Sequence, residues 1–76
     1  MQVAGLKFAN GRLIVELPYE DKIRLEIYDV VGRVAKGFNG RFCSGVHEFE
    51  LSEKRGIYFA ILRYTGGNER LKFVRL

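Results

Sequence analysis

Lys22-Ile23-Arg24-Leu25-Glu26-Ile27-Tyr28 alternates polar and apolar residues without a break. A period of two belongs to a strand with one wet face and one dry face, because successive side chains leave a pleated backbone on opposite sides. The segment is therefore expected as a strand with Ile23, Leu25 and Ile27 inward. Upstream, Arg12-Leu13-Ile14-Val15-Glu16-Leu17 has the same pattern and sends Leu13, Val15 and Leu17 inward. Downstream, His47-Glu48-Phe49-Glu50-Leu51 places Phe49 and Leu51 inward and both glutamates outward. Residues 57–64 form a longer β-branched and aromatic run, and Leu71-Lys72-Phe73-Val74-Arg75-Leu76 gives a last strand. Weaker strand signals lie at residues 3–8 and 34–38. No segment carries a sustained helical stripe, and there are no repeats, linkers or low-complexity tracts.

Turn chemistry separates these segments. Asn10-Gly11 is the strongest hairpin signal, since both central positions of a type I′ turn need positive φ. Pro18-Tyr19-Glu20-Asp21 interrupts the next pair, because proline cannot donate to a central ladder. Gly32, Asn39-Gly40, Ser44-Gly45, Gly56 and Gly66-Gly67-Asn68 supply the remaining breaks. Short strands with regular turns predict an all-β fold, a sandwich or a small barrel, and of the two a small antiparallel β-sandwich of about seven strands is expected.

The totals agree with one domain over residues 1–76. A domain this small buries roughly 60% of the surface that its unfolded chain exposes, so its margin of stability is narrow. Apolar residues make up 47% of the chain, too many for a disordered tail. Cys43 is the one cysteine, so the core must hold without an internal disulfide. The formal charge of +4, from 13 basic and 9 acidic residues, suits an anionic partner and also ordinary solubility. No apolar run reaches the length of a membrane-spanning helix. The first residues lack the basic and long apolar regions of a signal peptide, so the chain is expected to be cytoplasmic or part of a longer protein.

The run from Ile57 to Tyr64 poses a question. Arg63 should face out, because arginine is rarely buried without a partner. By parity, Ile57, Phe59 and Ile61 then face out with it. Two readings are open. The stripe is covered by a loop or by residues 3–8, or it is a contact surface for a partner or adjoining domain.

The residues for catalysis are sparse. His47 is the only histidine, and Ser44 and Ser52 are the only serines. No acidic residue stands at a spacing that marks a triad, so His47 reads as a strand-entry residue. Cys43 and His47 lack a second ligand pair for a metal, and Glu48 and Glu50 read as a solvated acidic edge. The run from Gly40 to Gly45 has no lysine or following helix and reads as an ordinary loop. No enzyme activity, cofactor or metal is expected. Basic and aromatic residues interleave at Arg24/Tyr28, Arg63/Tyr64 and Lys72/Phe73/Arg75, as in sheets that bind single-stranded nucleic acid. Glu26, Glu48, Glu50 and Glu69 lie in the same strands and are expected to dilute any basic face, which counts against that partner.

Four segments, in order, resemble a known family. Ile27-Tyr28-Asp29-Val30-Val31-Gly32-Arg33-Val34 is similar to the Tyr-Asp-x-x-Gly-Arg strand-and-turn of the C-terminal sorting domains of the type IX (Por) secretion system. Gly45-Val46-His47-Glu48-Phe49-Glu50-Leu51, Gly56-Ile57-Tyr58-Phe59-Ala60-Ile61-Leu62 and Lys72-Phe73-Val74-Arg75-Leu76 resemble that family's later strands. The likeness covers about residues 10 to 76, with Asn10-Gly11 standing near the place of the family's opening Asn-Pro. Related immunoglobulin-like modules share parts of the pattern.

The resemblance implies an immunoglobulin-like sandwich without catalysis. It implies a covalently linked upstream cargo domain, passage through the periplasm and outer membrane, and a secreted or cell-surface location. The expected partners are an outer-membrane protein of the secretion machinery and anionic lipopolysaccharide. Lys72, Phe73, Val74, Arg75 and Leu76 are the expected recognition residues, because a receptor can add to an exposed edge. Asp29, Gly32, Arg33, Gly56 and Tyr58 are expected to build the fold. Asp29 would accept backbone hydrogen bonds across its turn, Gly32 would supply positive φ, and Tyr58 would bury its ring with the hydroxyl at a polar edge. Two other readings stay open: an immunoglobulin-like accessory or adhesive module of a larger secreted protein, and a small single-strand nucleic-acid binder.

Overall fold

Alternation at residues 22–28 does produce a strand, and the computed structural model shows what it packs against. The structure describes residues 4–51 and 54–76. Val3, expected in the first strand, and Ser52, one of the two serines, lie outside them. Seven strands follow one another: β1 (Gly5–Ala9), β2 (Arg12–Leu17), β3 (Asp21–Asp29), β4 (Val34–Phe42), β5 (Gly45–Glu50), β6 (Gly56–Tyr64) and β7 (Gly67–Arg75). They form two sheets, β1-β2-β5 and β4-β3-β6-β7, with every neighbouring pair antiparallel. The fold is a small antiparallel β-sandwich. Pairing of β2 with β5 and of β3 with β6 joins strands distant in sequence, as the Greek-key connections of immunoglobulin-like sandwiches do.

The inward residues form one core between the sheets. Leu13 and Val15 of β2 meet Leu25 and Ile27 of β3 and Leu62 of β6, all fully buried. Each such side chain contributes about 1.5–3 kcal/mol through removal from water. Aromatic rings close the two ends. Phe49 packs on Phe38 and Phe42, at centroid distances of 4.7 and 5.7 Å. Phe8 stacks on Phe73 at 4.5 Å, and Phe73 on Tyr58 at 5.8 Å.

Tyr58 also anchors the start of β6. Its ring is buried and its hydroxyl donates to the Lys54 carbonyl at 2.7 Å, four residues upstream. The hydroxyl thus ties the strand back to the backbone just before it, the geometry of a tyrosine corner. Tyr58→Phe keeps the ring and removes the donor, so it should cost about 1–2 kcal/mol. Urea unfolding should show a lower midpoint at unchanged slope; an unchanged midpoint would leave the hydroxyl without a structural role.

Several boundaries differ from the sequence expectation. Asn10 and Gly11 do form the β1–β2 turn, with φ of 53° and 76°. Asn39-Gly40, however, is no turn. It lies inside β4, opposite Arg24 and Ile23. The long β3 ladder and the packing of Phe38 and Phe42 on Phe49 override local turn preference there. The run from Gly40 to Gly45 is accordingly the end of β4 and a short turn into β5. β7 begins at Gly67 instead of residue 71, because Gly67 already pairs with Tyr64 and the loop is reduced to Thr65-Gly66.

Asp21 was expected only as part of a chain break. It is 6% exposed and its carboxylate accepts from the Thr65 amide (3.0 Å), the Thr65 hydroxyl (2.6 Å) and the Lys22 amide (2.7 Å). It thereby ties the entry of β3 to the β6–β7 turn. The hydroxyl of Thr65 contributes most to holding its carboxyl below the ordinary 3.8, the Thr65 amide next.

Candidate functional site

Tyr28 ends the outward face of β3, and the chain then turns. Asp29 accepts from the backbone N–H groups of Val31 (3.0 Å) and Arg33 (2.9 Å), and from Arg33 Nε at 3.1 Å. Chiefly through the Arg33 amide, these bonds hold the Asp29 carboxyl below 3.8. Gly32 has φ of 88°, a conformation that costs any side chain with a Cβ. Asp29, Gly32 and Arg33 therefore work together as a turn. The turn lifts Val30 and Val31 into solvent, at 69% and 68% exposure.

The outer face of the four-stranded sheet follows from register. Tyr28 of β3 stands opposite Phe59 of β6, which stands opposite Lys72 of β7. The next row is Glu26, Ile61 and Arg70, and the one after it Arg24, Arg63 and Asn68. Ile57 and Val74 pair beyond Phe59. Ile57 and Phe59 are 41% and 39% exposed, so the stripe with Ile61 does face outward. β1 does not cover it. β1 belongs to the other sheet and turns Phe8 inward onto Phe73.

Two shallow grooves lie on this face. One, of about 470 Å³, runs over Tyr28, Phe59 and Ile61 and is rimmed by Arg70 and Lys72. The other, of about 580 Å³, lies among Lys22, Arg24, Asn39 and Arg63. Between them sits Glu26. Its carboxylate accepts from the Arg63 guanidinium and, at 3.1 Å, from the Tyr28 hydroxyl. Burial pushes the Glu26 carboxyl up, but these donors outweigh it and hold the group below 4.5. The same pairing raises Arg63.

Most of the acids expected on this face lie elsewhere. Glu48 and Glu50 belong to β5 in the other sheet, and Glu48 is paired there with Arg12 at 3.0 Å. Glu69 stands opposite buried Leu62, on the side turned toward the core. Of the four acids expected to dilute a basic face, Glu26 alone stands on this one.

The last strand divides by parity. Phe73 is 5% exposed and part of the core, so it is not available to a receptor in the folded chain. Lys72 and Val74 face outward, and Leu76 is almost fully exposed. Arg75 lies opposite Gly56, half-buried. β7 is an edge strand; among the described residues no strand pairs with its far side.

His47 donates from Nε2 to the Cys43 carbonyl at 2.7 Å and sets its ring edge-on to Phe42. Cys43 is exposed at the turn. What sequence reasoning missed is the Glu26–Arg63 pair, the place of Arg70, and the Asp21–Thr65 latch. Each joins strands whose adjacency no local pattern announces. No family model matches this chain, and neither does any curated protein or solved structure.

Proposed function

We propose that the chain is a non-catalytic sorting and anchoring domain. It directs a cargo protein through the type IX secretion system to the cell surface, and an outer-membrane protein of that machinery reads it. The observation that carries this reading is β7. It is an edge strand whose inward residue Phe73 is locked in the core, while Lys72 and Val74 stand outward beside an open ladder. Such an edge accepts a partner strand through main-chain hydrogen bonds, and its alternate side chains set specificity. The order of the four motifs and the Asp29–Arg33 turn support the same reading.

Because β1 pairs with β2 and Phe8 packs on Phe73, the whole chain is the unit to test, not residues 10–76. Fused behind a periplasmic reporter in a bacterium with this system, it should bring the reporter to the surface. A Lys72→Glu, Val74→Asp double variant should keep its melting temperature within a few degrees and lose most export, since both positions are exposed. Undiminished export of the folded double variant, or no export of the parent, would defeat the proposal.

The uncovered stripe Ile57, Phe59 and Ile61 favours a second reading, an accessory module packed on a neighbouring domain of a larger secreted protein. In that case the reporter stays in the periplasm with either fusion.

A further inference from the structure

The charge on the outer face of the four-stranded sheet is concentrated beyond what the composition suggests. Lys22, Arg24, Arg41, Arg63, Arg70 and Lys72 stand on it. Against them are Glu26, paired with Arg63, and Glu20, paired with Arg41 at 3.4 Å. That excess equals the formal charge of the whole chain, +4. Lys22, Arg24, Arg70 and Lys72 make no ion pair with a carboxylate among the described residues. The outer face of the other sheet is different: Lys7 and Arg12 there face Glu16, Glu48 and Glu50.

The cations share this face with aromatic rings. Tyr28 and Phe59 are direct cross-strand neighbours on the two central strands. Phe59 is 39% exposed and continues into Ile57, 41% exposed, so an apolar patch is open to a partner. Four residues separate Phe59 from Arg63 along β6, about 13 Å at strand rise. Two strand spacings separate β3 from β7, about 10 Å. The face is thus a small open platform with aromatic rings at one end and, along it, cations outside ion pairs among the described residues.

A ligand that suits both parts must carry repeated negative charge and unpaired flat rings. We infer that this face is a binding surface for single-stranded nucleic acid. Bases stack on Phe59 and Tyr28, and phosphates lie against Lys22, Arg24, Arg70 and Lys72. Base–aromatic stacking and a basic track are the two parts of sequence-tolerant single-strand binding. A duplex offers the cations its phosphates but keeps its bases from the rings, and a sulfated polysaccharide has no bases to stack. The inference goes beyond the sorting proposal and does not depend on it, because it concerns the isolated chain in solution.

The test is fluorescence anisotropy with a labelled oligothymidylate of about ten nucleotides, at the middle of the usual range of site sizes. The parent chain should bind at low salt, with log K falling against log salt at a slope of roughly −3 if about four cations engage. Phe59→Ala should weaken binding about tenfold or more, the usual loss for one stacked base. Lys72→Glu should weaken it and flatten the salt slope by about one or more. Both side chains are exposed, and a thermal melt confirms that each variant is folded. A duplex of the same length and a heparin fragment are the comparison ligands. Weaker binding of both, with a loss in Phe59→Ala, supports the inference. Equal binding of duplex or heparin with no effect of Phe59→Ala would mean charge attraction alone and would overturn it. So would the absence of binding at about 20 mM salt, where the electrostatic contribution is strongest.

Discussion

Phe73→Ala should remove about half of the chain's stability, and removal of residues 72–76 should unfold it. A domain of this length is stable by roughly 4–11 kcal/mol, at the usual value per residue. Phe73 is 5% exposed and lies between Phe8 and Tyr58. Truncating such a ring costs about 3–5 kcal/mol, through lost transfer and the cavity left behind. The deletion adds the loss of the ladder from Phe59↔Lys72 to Gly56↔Arg75. It also uncovers Tyr58 and with it the corner that starts β6. Circular dichroism with urea titration checks both variants, and Lys72→Glu is the folded control. A cooperative transition near the parent midpoint in Phe73→Ala would mean that the ring is not a core member. The consequence for function is direct. Lost export after deletion would report unfolding, whereas substitution of Lys72 and Val74 asks about recognition.

Asp21→Asn should lower the melting temperature at neutral pH by about 5–10 °C, a large shift for one atom exchanged in a domain this small. The carboxylate holds three donors at the junction of β3 with the β6–β7 turn, and the amide offers one oxygen and a competing N–H₂ group. The pH dependence gives a second readout. Asp21 and Asp29 lie below 3.8 in the folded chain, and Glu26 below 4.5. A lowered folded pKa means that the stabilisation is fully present above the unfolded value. It is lost as pH falls through the folded one. Acid should therefore destabilise the parent progressively from about pH 4.5 downward. Asp21→Asn should show a shallower decline, and its deficit relative to the parent should shrink in acid. Parallel profiles for the two proteins below pH 4 would exclude Asp21 as a contributor.

The period-two segments made the core legible before any packing was known. Ile23, Leu25, Ile27, Leu13, Val15, Leu17, Phe49 and Leu51 all face inward as their alternation requires. Asn10-Gly11 announced its hairpin because only positive φ closes that turn. Strand ends were less legible. Asn39-Gly40 carries the chemistry of a turn, but a β3–β4 ladder of eight pairs and two phenylalanines packed on Phe49 outweigh it. The recognition residues divided in the same way. Parity alone separates Lys72 from Phe73, yet only the position of β7 against β1 shows that Phe73 is held inside.

The residue pattern alone established that this chain is an all-β fold, and which residue of each pair faces the core, because side-chain direction along a strand is a local property. It also determined the Asp29–Arg33 turn, whose partners all lie within four residues. The choice of neighbouring strands was made by packing. That choice brought Tyr28 beside Phe59, paired Glu26 with Arg63, fastened Asp21 to Thr65, and put Lys22, Arg24, Arg70 and Lys72 on one face of one sheet while sending Glu48 and Glu50 to the other sheet. The physical reason is that strand adjacency is settled by how two sheets share one core, a long-range balance that no window of sequence contains.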